Sequence, residues 1–174
     1  MAKTTKSKKT KITFGPASVY DINTPVGFKT IEAGCNAFGL KAVKRGWRVM
    51  AGARFENASI PDPDLQDVTL WFPNVQSAYW INAVQDNGRT IIEVPTDLSK
   101  NQEHVDKYFA KPEIRVTFLK DETQWNGYKF IGVYQLEMEE TKQPNRCVWK
   151  QILKVTNSDL SDVKQYKKQN PYKK

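Results

Sequence analysis

The stretch that decides the fold, residues 77–94, reads SAYWINAVQDNGRTIIEV. Its two halves, 77–84 and 89–94, are rich in aromatic and β-branched residues, and the turn-forming residues Asp86-Asn87-Gly88 separate them. Asn-Gly between two such runs is the strongest short-range signal for a β-hairpin, because both residues tolerate the positive φ of a tight turn. The sequence therefore predicts an antiparallel hairpin here.

Alternation of apolar and polar residues predicts further strands on both sides of this hairpin. They cover residues 47–55, 68–72, 114–118, 128–138 and 147–155. In the strand at 128–138, every second residue from Phe130 to Met138 is expected to lie on one face. Short helices are predicted at 36–45, from Ser99 to just before Pro112, and after Ser158.

This order of elements predicts an α+β fold with a strongly bent, mostly antiparallel sheet or small β-barrel and two or three short helices. A parallel α/β fold is excluded, because strands and helices do not alternate and no glycine-rich phosphate turn follows a strand. We expect a disordered lysine-rich tail at 1–12, a single globular domain at 13–163 and a lysine-rich C-terminal tail at 164–174.

The net charge of +8 resides in the two tails, which hold five lysines each and no acidic residue. Without those lysines, 17 of the 27 basic residues remain against 19 acidic ones. Basic tails bind polyanions by releasing counterions, without reading sequence. The alternative is that the tails only keep the protein soluble.

Several classes of protein are excluded by composition. No apolar stretch approaches the ~20 residues that span a bilayer, and the N-terminus does not read as a secretory leader. Cys35 and Cys147 are too few for a disulfide framework, which predicts a reducing, cytoplasmic location. His104 is the only histidine, and its polar neighbours predict a solvated side chain. We therefore predict no catalytic residue, no metal site and no cofactor.

An acidic cluster is the one exception that could support an enzyme. Asp62, Asp64 and Asp67 lie close together before a predicted strand. A metal-dependent nuclease needs carboxylates that converge on a cation. The other interpretation is a solvated, proline-rich loop.

Aromatic and basic residues predicted on outward-facing or turn positions supply the candidate nucleic-acid-binding site. Exposed rings stack on bases, with ~1–3 kcal/mol per base, and nearby cations bind the phosphates. The alternative for each ring is that it fills a core or an edge of the sheet. The candidates are Trp71, Trp80, Trp125, Arg48, Arg54, Arg89, Arg115 and Lys129.

Two segments near the C-terminus carry a resemblance to a known family. Residues 128–136 read YKFIGVYQL, and after a polar turn residues 148–152 read VWKQI. This pair resembles the closing hairpin of PUA-like barrel domains, especially the SRA-like modules found beside restriction nucleases and helicases. The resemblance implies a bent barrel that reads a modified or flipped base through aromatic stacking in a pocket.

The sequence thus predicts a non-catalytic module that binds DNA or RNA, including a modified or flipped base, with no membrane partner. The alternative is a module that binds a protein partner, such as a phage- or mobile-element-encoded inhibitor or accessory subunit. Exposed aromatic residues suit a protein interface equally well.

Overall fold

The computed structural model of the protein describes residues 7–142 and 145–171. Its strands are β1 (Thr13–Phe14), β2 (Val19–Asp21), β3 (Val26–Phe28), β4 (Lys44–Arg45), β5 (Arg48–Val49), β6 (Gly52–Arg54), β7 (Val68–Trp71), β8 (Trp80–Gln85), β9 (Thr90–Pro95), β10 (Ile114–Lys120), β11 (Tyr128–Leu136), β12 (Cys147–Leu153) and β13 (Val155–Asn157). Its helices are α1 (Ile31–Ala37), α2 (Asn101–Ala110), α3 (Met138–Lys142) and α4 (Ser161–Gln169). Within those two ranges, no helix has the length and apolar character needed to cross a lipid bilayer.

Nine strands form one sheet, whose main path runs β6-β7-β10-β11-β12-β9-β8. Strand β3 pairs with the beginning of β11, and β1 pairs with β3. The β7–β10 and β1–β3 pairs are parallel, and the other pairs of this sheet are antiparallel. In the described part of the chain the path stays open at β6 and β8. The prediction of an α+β fold with a strongly bent, mostly antiparallel sheet is confirmed, in the open form and not as a closed barrel.

Strand β11 carries an irregularity that bends the sheet. Its register with β12 shifts between Val133 and Tyr134, next to Gly132 with its φ of +134°. An irregularity of this kind re-aims the side chains that follow it. Phe130 therefore packs in one core and Tyr134 in another, so the prediction of one shared face along this strand is wrong.

The described residues form three hydrophobic clusters, and the two larger ones, called the first and second core, lie on opposite faces of the sheet. The first contains Val68 and Leu70 of β7, and α1 and α4 contribute buried residues to it. The second contains Trp71 of β7, Trp149 of β12 and Val105 of α2. Because successive side chains of a strand point to opposite faces, β7 contributes to both cores.

The predicted hairpin is confirmed. Strands β8 and β9 pair antiparallel along their whole length, from Trp80 opposite Pro95 to Gln85 opposite Thr90. The turn between them has positive φ at Asp86, Asn87 and Gly88, as the Asn-Gly signal predicts. The helix predicted after Ser99 is also present, as α2.

The helix predicted at 36–45 is wrong in position, because α1 begins five residues earlier, at Ile31. Thr30 caps it: its Oγ1 accepts a hydrogen bond of 3.1 Å from the backbone N–H of Ala33. Gly39 follows the helix with a φ of +70° and stops its continuation. The long strand predicted at 47–55 is likewise interrupted, and only β5 and β6 form within it.

The predicted tails extend less far than expected. Residues 1–6 lie outside the described residues, but Ile12 is buried. At the other end, the predicted boundary between residues 163 and 164 falls inside α4, whose Tyr166 packs on the first core. Residues 164–169 therefore belong to the folded domain.

Candidate functional site

The β8–β9 hairpin carries three polar or aromatic side chains on one face. Asn82 of β8 lies opposite Glu93 of β9, and Trp80 precedes Asn82 by two residues. Residues two apart on a strand point to the same side, so the three share a face. His104 of α2 packs against them there. These four residues are called the hairpin–helix corner below.

Glu93 is a buried carboxylate held by three donors. Its Oε1 lies 3.0 Å from Nε2 of His104 and 3.1 Å from Nη1 of Arg115, and it accepts a 3.3 Å hydrogen bond from Nε1 of Trp149. Burial alone would raise the pKa of Glu93, but the charge of Arg115 and the contact with His104 hold it at about 2. The carboxylate is therefore ionised and fixed in position at neutral pH.

Arg115 supplies the positive charge that balances Glu93. Its guanidinium carbon lies 3.6 Å from the ring centre of Trp149 and 4.3 Å from that of Trp71. Its Nε also donates a 2.8 Å hydrogen bond to Glu113. Burial opposes the charged form of Arg115, but the nearby carboxylates outweigh this effect and raise its pKa. Such a caged guanidinium positions Glu93 and is itself inaccessible to a ligand.

Asn82 carries an acceptor that has no partner within the described residues. Its side chain is buried, with 3% of the residue exposed, and its Nδ2 donates a 2.8 Å hydrogen bond to the backbone oxygen of Asn74. That bond fixes the amide, because the reverse orientation would bring two oxygens together. Oδ1 is buried without a partner among the described residues, which is unfavourable unless a ligand or a water molecule supplies a donor.

Trp80 forms a wall of the corner. Its ring centre lies 4.5 Å from that of His104, and the residue is half-buried. His104 is also packed edge-on against Tyr108. The prediction of a solvated His104 is therefore wrong, because Glu93 and the aromatic rings draw its imidazole into the fold. A flat ligand could stack on the part of Trp80 that His104 leaves free.

Three residues of this region have metal-ligand chemistry: Glu93, His104 and Cys147 offer ligand atoms within 4.8 Å of one another. Two observations oppose a cation there. Arg115 already shares Oε1 of Glu93, and burial raises the pKa of the Cys147 thiol to about 12, against the thiolate that a metal needs. These residues do not fit a metal site.

Two of the three predicted stacking tryptophans are buried. Trp71 packs against Trp149 in the second core, which was the alternative for this ring. Trp125 packs with Ile12, and its Nε1 donates a 2.9 Å hydrogen bond to the backbone oxygen of Leu119. The expectation that both rings are exposed is wrong, because α2 and the N-terminal segment cover the faces on which they lie.

Three predicted phosphate-binding cations are engaged within the protein. Arg115 is buried, Arg54 pairs with Glu56 at 3.1 Å, and the ammonium of Lys129 lies 3.2 Å from the backbone oxygen of Ile22. Burial also lowers the pKa of Lys129. The prediction that they point freely outward is wrong, since neighbouring carboxylates and carbonyls bind them.

The other two predicted arginines are accessible. Arg89 lines an open depression together with Lys150 and Lys154, and the guanidinium of Arg48 lies 3.9 Å from the ring centre of Tyr79. Of all predicted site residues, only Trp80 lies in the hairpin–helix corner. Arg115 acts on the corner indirectly, through Glu93.

The acidic cluster serves a structural purpose. Asp62 pairs with Lys164, and Asp67 pairs with Lys167, both on α4. Asp62 also caps a short 3₁₀ turn by accepting the N–H of Asp64 at 2.9 Å. These ion pairs attach α4 to the loop. They favour a structural role for the carboxylates over convergence on a metal ion.

Sequence reasoning missed Asn82 and Glu93. Both are polar residues at inward-facing positions of the hairpin. Trp80 lies two residues before Asn82, and Ile91 lies two residues before Glu93. A polar pair at inward-facing positions of two paired strands is the signal that could have found them. The turn at Asp86-Asn87-Gly88 sets the register that makes them neighbours.

Comparison with known proteins adds family information. The family model "SRA: SET and RING associated domain" matches residues 18–157. Among solved structures, "The 5-Hydroxymethylcytosine-Specific Restriction Enzyme AbaSI" is similar, with a TM-score of 0.60 and 26% sequence identity. That match covers 80% of this chain and 42% of the enzyme's chain, so the chain spans less than half of that protein. Among curated proteins, no sequence matches significantly.

Proposed function

We propose a mode of base recognition from the premise that this chain belongs to the SRA domain family, whose members bind DNA and read a flipped, modified cytosine. The chain is accordingly a DNA-binding module. In our proposal the flipped base enters the hairpin–helix corner. There Trp80 stacks on the ring, and Asn82 and Glu93 accept hydrogen bonds from the base.

The unpaired Oδ1 of Asn82 is the observation that carries this proposal. It lies on the same face as Glu93, a residue opposite it in the hairpin. Cytosine presents an exocyclic amino group with two N–H donors, and carboxylates are its common partners in proteins. Two acceptors on neighbouring strands match two donors on one nitrogen.

The network around Glu93 supports the same role. Within the described residues, the three hydrogen-bonding partners of its carboxylate all contact Oε1. None of these residues hydrogen-bonds to Oε2, which is left for a ligand. Because Arg115 and His104 hold the carboxylate in place, the base meets an acceptor that needs no reorganisation.

We propose 5-hydroxymethylcytosine as the modified base. The similar solved structure is named for specificity toward that base, and its sequence identity to this chain is 26%. Arg89 and the lysine-rich termini would contact the phosphates and make affinity fall with salt. We also place the protein inside the cell, where its DNA is found and where the buried thiols of Cys35 and Cys147 stay reduced.

Substitution of Asn82 tests the proposal. We expect the unsubstituted protein to bind a duplex containing 5-hydroxymethylcytosine more tightly than the same unmodified duplex. Asn82→Leu keeps the approximate size but removes the acceptor, and should lower the affinity for the modified duplex about tenfold, or ~1.4 kcal/mol. Fluorescence anisotropy titration measures both affinities.

Gln85→Leu is the matched control, since Gln85 is an exposed amide on the opposite face of the same strand. It should bind both duplexes like the unsubstituted protein. An Asn82→Leu protein that is folded and binds the modified duplex with undiminished affinity would contradict the proposal.

A further inference from the structure

Among the described residues, Trp47 is the most exposed aromatic residue, with 90% of it accessible to solvent. It lies in the turn between β4 and β5, after Gly46, whose φ is +60°. The antiparallel pairs Lys44–Val49 and Arg45–Arg48 close this small hairpin. An indole is thereby held out from the surface on a short turn, with little of it covered by the described residues.

Three cationic residues lie close to Trp47 along the chain. Lys44, Arg45 and Arg48 lie within three residues of it, and the sequence has no acidic residue between Glu32 and Glu56. Among the described residues, none of the three cations forms a salt bridge. This differs from Arg54 and Arg115, which carboxylates neutralise. The surface therefore attracts a polyanion.

One contact joins this hairpin to the residue that precedes the hairpin–helix corner in sequence. The guanidinium of Arg48 lies 3.9 Å from the ring centre of Tyr79, which is 53% exposed and directly precedes Trp80. The name basic–aromatic ledge is used below for the hairpin residues Lys44, Arg45, Trp47 and Arg48 together with Tyr79, which Arg48 contacts. Through Tyr79 the ledge continues to the strand that carries the corner.

We propose that the basic–aromatic ledge binds the DNA strand next to the base held in the corner. Trp47 stacks on a neighbouring base, and Lys44 and Arg45 bind its phosphates. The location of the DNA rests on the proposed function of the corner. A stacking face accepts every base, so the ledge adds affinity that does not depend on the modification.

Binding assays on the full chain separate the ledge from the corner. Single-stranded and duplex oligonucleotides, each with and without 5-hydroxymethylcytosine, are titrated by fluorescence anisotropy. Trp47→Ala should weaken binding to modified and unmodified DNA by the same factor, about tenfold, and leave their ratio unchanged. Trp47→Phe keeps a stacking ring and should retain most of the affinity.

Ile60→Ala is the matched control, because Ile60 is also 90% exposed and lies outside the ledge. Its DNA affinity should equal that of the unsubstituted protein. The ledge is overturned if Trp47→Ala binds all four oligonucleotides normally, or if it loses affinity only for the modified ones. The unsubstituted protein could show no preference for modified DNA while Trp47→Ala still weakens binding. That result would contradict the proposed role of the corner and support DNA binding by the ledge.

Discussion

Glu93 connects the hairpin–helix corner to the second core. Its carboxylate is buried among His104, Arg115 and Trp149, and the guanidinium of Arg115 is enclosed by aromatic rings. Removal of one partner from a buried ion pair leaves the other charge uncompensated. The residue therefore stabilises the fold, in addition to the ligand-binding role that we propose for it.

We expect the free energy of unfolding to fall as the pH is lowered from ~4.3 to about 2, partly through Glu93. The pKa of Glu93 is lowered in the folded state, so its contribution is complete above the pKa of the unfolded chain. It is lost as the pH falls through the pKa of the folded protein. Glu93→Gln should lower stability at pH 7 by about 3 kcal/mol and flatten this part of the pH profile.

Urea unfolding at pH 7, 4 and 2.5 provides the measurement for that prediction. Glu122→Gln is the control, because the Glu122 side chain is 71% exposed and, in the part of the chain that the structure describes, forms an ion pair only with Lys120. A Glu93→Gln protein with unchanged stability and an unchanged pH slope would refute the role assigned to this carboxylate.

At the scale of elements, β3 and β11 approach so closely that only glycine fits between them. A Cβ atom added to Gly27 would lie 1.8 Å from the backbone oxygen of Tyr128. Backbone atoms cannot move aside as a flexible side chain can. The pairing of β3 with the beginning of β11 therefore depends on this residue, and with it one arm of the bent sheet.

Gly27→Ala should destabilise the protein by about 3 kcal/mol and lower its melting temperature in a thermal circular dichroism scan. Gly52→Ala, in β6 of the same sheet, is the control. Its added Cβ would meet its nearest atom, Cγ2 of Thr69, at an ordinary 3.6 Å. Equal melting temperatures for the two variants would show that the sheet tolerates a wider spacing at Gly27.

For the whole molecule, α4 joins the C-terminal segment to the loop that carries the acidic cluster. Lys164 and Lys167 pair with Asp62 and Asp67, and Tyr166 packs on the first core. These ion pairs join residues that are about 100 positions apart in sequence, so they hold the C-terminal segment against a distant part of the chain. The C-terminal lysines therefore include two sets: Lys164 and Lys167, which form ion pairs within the fold, and the lysines that follow α4 in the sequence.

Truncation distinguishes the two sets. A chain that ends at Asn170 keeps α4, and we expect its melting temperature to stay within a degree or so of the full chain. A chain that ends at Val163 loses Tyr166 and both ion pairs, and should melt about 5–10 °C lower. Differential scanning calorimetry measures both, and equal melting of the two truncated chains would show that α4 adds no stability.

The sequence by itself determined the features that neighbouring residues control. The Asp86-Asn87-Gly88 turn and the alternation beside it predict the β8–β9 hairpin, and the segments at 128–136 and 148–152 point to the family. These signals depend on residues that are neighbours in sequence, so they can be identified without knowledge of distant contacts. The predicted position of α1 was wrong although its signal is local, because the sequence prediction did not include the cap at Thr30.

Only the tertiary structure decided which face of each strand is covered. Alternation shows that Trp71 and Leu70 lie on opposite faces, but not that α2 seals the face of Trp71 into a second core. The same packing brings His104 to Glu93, eleven residues earlier in sequence, and leaves the acceptor of Asn82 unpaired. Burial and charge pairing depend on the chain's distant parts, so the candidate site becomes visible only once the sheet and α2 are packed together.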